Sequence, residues 1–519
     1  MRRSTNLRRL AAWGAVVGAC AYLLVELVPD VRSKPLFEDE AVSGLISARP
    51  FGELIATTMW DRGGSPLHFV LVHLAFLFDS SPEALRWISV VFAVVAVALC
   101  YDLGRRLDGR VAGVAAAIVA AASGMLAVYG SFGRMYALFA FSAALAVDLF
   151  VRCLQRPTTA TVAAASAAAW LLPAVHPYGG IVVAVEAAVA LVVWRGRPLR
   201  PAWPAAVAVL AMIPFAVADL RLADRFELSS EQKGRLATWT EARHQLEDAV
   251  RGFGGGSGWT LVVFLGLAAW GVAILLRRRP ELVVWGLIAF AGPPLLSTLV
   301  RTGRAPDLSP RHLIFALPFF AAFVGVAVAR IPGRPLPLVG LAVVAALSTQ
   351  GINDPRSITY TAALGGREAV AAPAAWLRQN VGENDVLYPY SSVFLAGLPK
   401  TGEARTLPRA QVQSLLAALD RVDYPAGDVF VAVPAGTTRR LERPPPMFGA
   451  QDFGSWVILR ERGPFADREE VLRAIDLALG RGRGQLRRPL PEPLVGWFEL
   501  NRTVICESLS KLGSQCGTE

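Results

Sequence analysis

The sequence predicts a polytopic α-helical membrane protein with about eleven transmembrane helices, followed by a small α/β domain. Three observations predict it. Of 519 residues, 54% are hydrophobic and the mean hydropathy is +0.44. Ala/Val/Leu-rich runs of near-spanning length recur, separated by short Arg-rich loops. From about Gly351 the apolar runs stop and Pro, Asp and Arg become frequent, which divides the chain into a membrane domain, 1–350, and a C-terminal domain, 351–519. The net charge of +11 does not indicate nucleic acid, because the arginines lie between apolar runs where membrane topology accounts for them.

The elements follow in order. Arg2, Arg3, Arg8 and Arg9 precede an apolar run from Leu10 to Val28 that lacks a small-residue cleavage site, so it reads as a retained first helix. Further spans are expected at 87–103, 111–128, 137–152, 160–175, 179–194, 203–219, 259–276, 282–300, 312–329 and 335–350. Pro66 to Phe78 is apolar but has only thirteen residues. As a helix it reaches about 20 Å, against a hydrocarbon core of about 30 Å. It reads as an interfacial helix of the first outer loop.

Charge parity supports that choice. With 66–78 kept on the surface, Arg105/Arg106/Arg110, Arg152/Arg156, Arg195/Arg197/Arg200, Arg277/Arg278/Arg279 and Arg330/Arg334 all fall on the side of the basic N-terminus. The N-terminus is then cytoplasmic and the C-terminal domain extracytoplasmic. The Ala/Arg/Gly/Val usage fits a high-GC bacterium, hence a multi-pass protein of the bacterial cell (inner) membrane.

The outer face carries the first loop (29–86), a short loop at 129–136, a loop at 220–258, a short loop at 301–311 and the C-terminal domain. The 220–258 loop contains an amphipathic pattern, with Ser229/Ser230 as N-cap, Leu236, Trp239, Leu246, Val250 and Phe253 at helical spacing, and Gly254 to Gly256 as its end. Either a lid or a helix lying on the membrane fits. In the C-terminal domain, strand-like pieces at 385–388, 428–433 and 456–460 alternate with helix-like ones at 373–380, 410–419 and 468–479. Cys506 and Cys516 fall in that outer domain, where a disulfide can form, whereas Cys20, Cys100 and Cys153 lie in or beside spans and read as core residues.

Candidate chemistry begins at Glu38-Asp39-Glu40, directly after the first span. Carboxylates at a membrane surface are expensive to keep. Three uses fit Asp39 and Glu40: a general base, cation ligands, or acceptors for loop amides. Arg134, in Ser131-Phe132-Gly133-Arg134-Met135-Tyr136, and Arg301, Arg304 and Arg311 are outer arginines against the positive-inside trend, and a lipid-linked phosphate is a natural partner for them. His68 and His73 are five residues apart and do not share a helix face well; packing or headgroup contacts fit them. His176 and Tyr178 stand at an outer helix end. The five histidines are widely separated and predict no all-protein metal site, though Asp39 and Glu40 leave room for a divalent ion.

An ordered set of short motifs resembles the GT-C superfamily of polyprenyl-phosphate-sugar-dependent glycosyltransferases, near the protein O-mannosyltransferases and the lipid A aminoarabinose transferase. Asp39-Glu40-Ala41 is similar to the family's Asp-Glu-Ala. Ser65 to Phe69 resembles the Pro-Pro-Leu-Tyr-Tyr opening its interfacial helix, and Leu103 to Leu107 resembles its first inner loop. Arg134 to Leu138 resembles Ala-Arg-Met-Tyr-Ala-Leu, His176 to Gly179 resembles His-Tyr-Tyr-Gly, and Pro310 to Leu313 resembles Pro-Arg-Tyr-Leu. Phe132-Gly133 stands where relatives often carry an acidic residue, and Arg62 is the nearest cation where they often carry lysine.

The resemblance implies an inverting transfer of a sugar from a polyprenyl-phosphate donor to an acceptor hydroxyl on the outer face. It implies Asp39 as catalytic base with Glu40 as its supporting carboxylate, Arg134 and Arg311 as donor-phosphate ligands, and Tyr136, His176, Tyr178 and His68 as edges of the donor pocket. The expected partners are the lipid-linked sugar, a glycan, lipid or protein acceptor, and membrane lipids. A polytopic transporter or lipid flippase is the alternative class; it more often places ionisable groups within spans, where here Asp148, Glu186 and Asp219 are few.

Overall fold

The computed structural model describes residues 2–516 apart from 35, 62–63, 196–201, 226–238, 255, 257, 300–308, 334, 353–367, 398–404, 409–411, 435–449, 455 and 486–491. Arg62, Arg197, Arg200, Ser229, Ser230, Leu236, Gly255, Arg301, Arg304 and Arg334 therefore lie outside the described residues. The chain forms two compact units. The first comprises 1–32, 58–68 and 86–360; the second comprises 33–57, 69–85 and 361–519. Most of the first outer loop thus belongs to the same unit as the C-terminal residues.

In the first unit, α1 (Arg2–Ser33) buries Ala12, Val16, Ala19, Leu23, Leu27 and Val31, one stripe at three-to-four-residue spacing, and exposes Trp13, Val17 and Val25. α1 lies beside α5 (Pro82–Ala121): Trp13 meets Tyr101 with ring centroids 5.7 Å apart, and Cys20 Sγ lies 3.8 Å from the Val94 carbonyl oxygen. Arg86, at the start of α5, donates to the carbonyls of Asp30 and Val31 and so closes the C-terminal end of α1. α5 is two helices folded at Asp108-Gly109. Gly109 has φ +86°, a conformation open to glycine, and the two arms approach so closely that a Cβ on Gly104 would lie 2.7 Å from the Ala112 carbonyl oxygen.

Among the described residues, six helices are long and apolar enough to cross a membrane by themselves, among them Pro82–Ala121 with its two arms; Thr159–Val175, Gly179–Trp194, Pro280–Gly292 and Leu336–Thr349 are shorter apolar helices. The basic loops at 105–106, 152, 278 and 330 share acidic partners within this unit. Asp102 pairs with Arg105, Arg106 and Arg152, Asp148 pairs with Arg106 and Arg152, and Asp108 pairs with Arg278 and Arg330.

The amphipathic segment forms a helix over Trp239–Phe253. Its last turn is anchored: Ala249, Gly252 and Phe253 are buried, Gly252 accepts a hydrogen bond from Ser123 Oγ at 2.8 Å, and the Phe253 ring meets Phe290 and Phe320. At its other end Trp239 is exposed.

In the second unit, β1 (Val386–Tyr388), β2 (Arg405–Thr406), β3 (Val429–Pro434), β4 (Ala450–Asp452) and β5 (Trp456–Glu461) form one sheet in the order β2-β1-β3-β5-β4. β2, β1 and β3 are parallel, whereas β5 runs antiparallel to β3 and β4. Helices Val412–Leu419, Arg468–Gln485 and Glu492–Lys511 cover a core that includes Val386, Val429, Val431, Leu472, Ile475 and Ile505. β2 and β4 have two and three residues and no alternation to read, so they were not expected. A disulfide joins Cys506 to Cys516, while Cys100 and Cys153 are buried free thiols and Cys20 is half-buried.

Candidate active site

The acidic motif opens α2 (Glu38–Ser47), in the second unit. Phe37 is extended, at φ −88° and ψ 156°, and Asp39 and Glu40 stand in the first turn, where the free N–H groups and the helix dipole favour negative charge. The two carboxylates have different surroundings. Glu40 is fully buried, and its Oε2 accepts the Phe37 N–H at 3.1 Å, the reverse arm of a capping box. Asp39 is half-buried, and its carbonyl accepts from Ser43 Oγ at 3.4 Å. Glu40 therefore holds the helix start, leaving Asp39 as the more accessible carboxylate.

The arginines and aromatics lie in the first unit. A short helix, α6 (Gly124–Tyr129), ends in the Gly130 to Met135 turn, and α7 (Tyr136–Gln155) begins directly after it. Ser89 Oγ donates to the carbonyls of Phe132 (2.7 Å) and Arg134 (3.2 Å), which ties the turn to α5. α8 (Thr159–Val175) ends at His176, and α9 (Gly179–Trp194) starts three residues later. The glycine of His176-Pro177-Tyr178-Gly179 has a steric reason: a Cβ on Gly179 would lie 2.2 Å from the Leu172 carbonyl. A 3-10 helix, Pro310–Ala316, supplies Arg311 and His312.

These segments bring six sequence-predicted residues together. Tyr136 and His176 have ring centroids 6.2 Å apart, His176 stacks on Tyr178 at 5.5 Å, and the Arg311 guanidinium carbon is 5.6 Å from the Tyr136 centroid. Arg134 acts electrostatically on both His68 and His176, and Arg311 acts on His176. His73 is not part of this group; its Nδ1 bonds to the Ser47 carbonyl at 2.9 Å in the second unit. His312 is a member that sequence reading missed. Its ring lies 5.2 Å from His176, 5.3 Å from Tyr178 and 6.1 Å from Tyr136. The signal was its place after Arg311, where the resembling motif carries a tyrosine.

Two of these histidines, His68 and His176, are held neutral by their surroundings. Burial, then the Arg134 charge, pushes His68 down to about 3, with the Gly133 backbone opposing; burial, then Arg134 and Arg311, pushes His176 down to about 3. The tautomers follow from the backbone: Tyr178 N–H donates to His176 Nδ1 at 3.2 Å and Ser309 N–H donates to His312 Nδ1 at 3.1 Å. Each ring proton is then on Nε2. Two guanidinium groups and imidazole N–H donors set among aromatic faces suit a phosphate ester beside a sugar ring.

Among the described residues, one group of three metal-type side chains converges, Asp476, Cys506 and Cys516, and its sulfurs are committed to the disulfide. None converges at Asp39.

The family model for dolichyl-phosphate-mannose-protein mannosyltransferase matches residues 64–218. No curated protein sequence matches the chain. Crystal structures of ArnT from Cupriavidus metallidurans are similar in fold. The apo state gives a TM-score of 0.58 at 15% identity over 87% of this chain and 98% of that one. The form bound to undecaprenyl phosphate gives 0.58 at 14% identity over 86% and 97%. The apo oligosaccharyltransferase of Archaeoglobus fulgidus gives 0.51 at 11% identity over 81% and 69%. The chain has the GT-C fold that these structures share.

Proposed function

We propose that the protein is a membrane glycosyltransferase that moves a sugar from a polyprenyl-phosphate donor to an acceptor hydroxyl. The observation that carries this reading is the pairing of Arg134 and Arg311 with neutral, buried imidazoles and stacked aromatic rings. The fold supports it, since ArnT of that fold has been seen with undecaprenyl phosphate bound.

In this reading Asp39 takes the proton of the acceptor hydroxyl. The acceptor oxygen attacks the anomeric carbon from the side opposite the phosphate, and the carbon–oxygen bond to phosphate breaks with inversion. Arg311 and Arg134 meet the charge that develops on the departing polyprenyl phosphate, so no acid is needed to release it. Tyr136, His176, Tyr178, His312 and His68 line the donor side. Both hexoses and pentoses fit this chemistry. The paired arginine loops favour a cytoplasmic N-terminus in a cell membrane.

The test uses the full-length protein in lipid nanodiscs. Wild type is expected to bind polyprenyl phosphate and to carry a lipid-linked sugar through purification, identified by mass spectrometry. Asp39→Asn is expected to bind the lipid phosphate equally and to lose transfer by about 10²-fold or more. Undiminished transfer by that variant overturns the base assignment, and failure of wild type to bind polyprenyl phosphate overturns the function.

A further inference from the structure

Asp39 stands on the second residue of a ten-residue helix, α2, and a base must be held to within a fraction of an ångström to act. Packing and hydrogen bonds hold that helix. Every residue from Ala41 to Ser47 is buried. Gly44 packs on the Ser392–Gly397 helix so closely that a Cβ there would lie 2.5 Å from Leu395 Cδ1. His73 bonds to the Ser47 carbonyl and its ring lies 5.9 Å from that of Phe51, which secures the far end.

Arg49 sits in the elbow between α2 and the next helix, α3 (Phe51–Asp61), and is 8% exposed. Its Nη1 donates to Thr57 Oγ1 at 3.1 Å, while Nη2 donates to the Tyr390 hydroxyl and to the Thr406 carbonyl, both at 2.9 Å. All three acceptors are neutral. A buried cation without a carboxylate is costly to desolvate, so its yield is geometric: the planar fork joins three segments, two of them 341 and 357 residues away in sequence. Two further contacts run the same way: Arg405 pairs with Glu53, and Arg421 Nη1 donates to Thr57 Oγ1 at 3.2 Å.

We infer that Arg49 is a positioning residue for Asp39, and that the C-terminal residues 361–519 serve as the seat of the acidic helix. This inference rests on the proposed role of Asp39 as base. The guanidinium touches no reacting atom in this scheme. It sets the elbow, the elbow sets α2, and α2 presents the carboxylate.

The experiment compares full-length Arg49→Gln, Arg49→Lys and Tyr390→Phe with wild type in nanodiscs, using the lipid-linked sugar that wild type turns over. Arg49→Gln is expected to lower kcat about tenfold or more with the donor KM unchanged, and to speed amide hydrogen exchange across 38–47. Tyr390→Phe, which removes a single acceptor, lowers kcat less. Arg49→Lys, keeping the charge but not the fork, recovers part of the loss. A scaffold role alone predicts less folded protein with wild-type kcat per active molecule. Wild-type kcat and wild-type exchange at 38–47 in folded Arg49→Gln overturn the inference; should that variant not fold, wild-type values in Tyr390→Phe do so. If Asp39→Asn is fully active, the base assignment fails instead, whatever Arg49 does.

Discussion

Ser309 gives its backbone N–H to His312 Nδ1 at 3.1 Å, and this fixes an imidazole beside Arg311 as a neutral donor through Nε2. Nothing about the tautomer depends on the solvent, because a main-chain donor sets it. His312→Phe is therefore expected to lower kcat/KM for the lipid-linked donor about 2- to 12-fold, the net contribution of one ordinary hydrogen bond. The pH–rate profile between 5 and 8 should keep its shape. Steady-state kinetics against donor concentration check this, and an unchanged kcat/KM removes His312 from the donor site.

Arg311 is expected to matter more. Its charge lies over the Tyr136 face, a contact that orients the guanidinium without neutralising it. Arg311→Gln should cost about 10²-fold in kcat, on the scale of removing one preorganised donor from a developing anion. Tyr136→Leu should cost about tenfold or less, about 1 kcal/mol being what a cation–π contact contributes. Single-turnover release of polyprenyl phosphate measures both, and equal losses would contradict the ranking.

The buried histidines predict a direction for acid stability. Their folded values, about 3 for His68 and for His176, lie below the unfolded value of about 6.5. Between those limits the unfolded chain binds more protons than the folded one, so stability rises with pH through that window and is lost as pH falls. Melting temperature in detergent should drop steadily from pH 7 to pH 4. His68→Gln with His176→Gln should flatten that dependence even if the double variant starts lower. A slope identical to wild type would show the histidines to be protonated in the fold.

Gly271 tests the packing of the first unit. A Cβ on it would lie 1.9 Å from the Phe323 carbonyl oxygen, where the Gly258–Leu276 and Leu317–Ala329 helices meet backbone to backbone. Gly271→Ala is expected to destabilise by about 1–3 kcal/mol through overpacking. Gly266→Ala on the same helix, with open space around it, should change little. Thermal unfolding of the pair supplies the control.

The helical membrane fold class could be read from local pattern, because apolar runs announce helices by length and hydropathy, and the fold at Asp108-Gly109 falls within the Arg105 to Arg110 loop. The motif residues Tyr136, His176, Tyr178 and Arg311 were also legible, since each sits at a helix end that the apolar runs define. His312 was not, because its importance comes from what Ser309 does to its tautomer. Nor was the bond between the first loop and the C-terminal sheet. Arg49 reads locally as one more loop arginine, and only a contact to Thr406, 357 residues on, reveals otherwise. Glu40 was legible as acidic but not as a cap, which required seeing Phe37 extended before it.

The aspartate–arginine pairs of the basic loops have a history as well as a geometry. Asp108 meets Arg278 and Arg330 across 170 and 222 residues, so neither pair can form until much later helices have been made. Until it meets Asp108, each of these later-made guanidinium groups is an unneutralised charge that resists crossing a bilayer. Once the bundle closes, the same groups lock its loops together. An early order of insertion is thereby converted into a lasting fastening, and replacing Asp108 should leave topology intact while loosening the finished bundle.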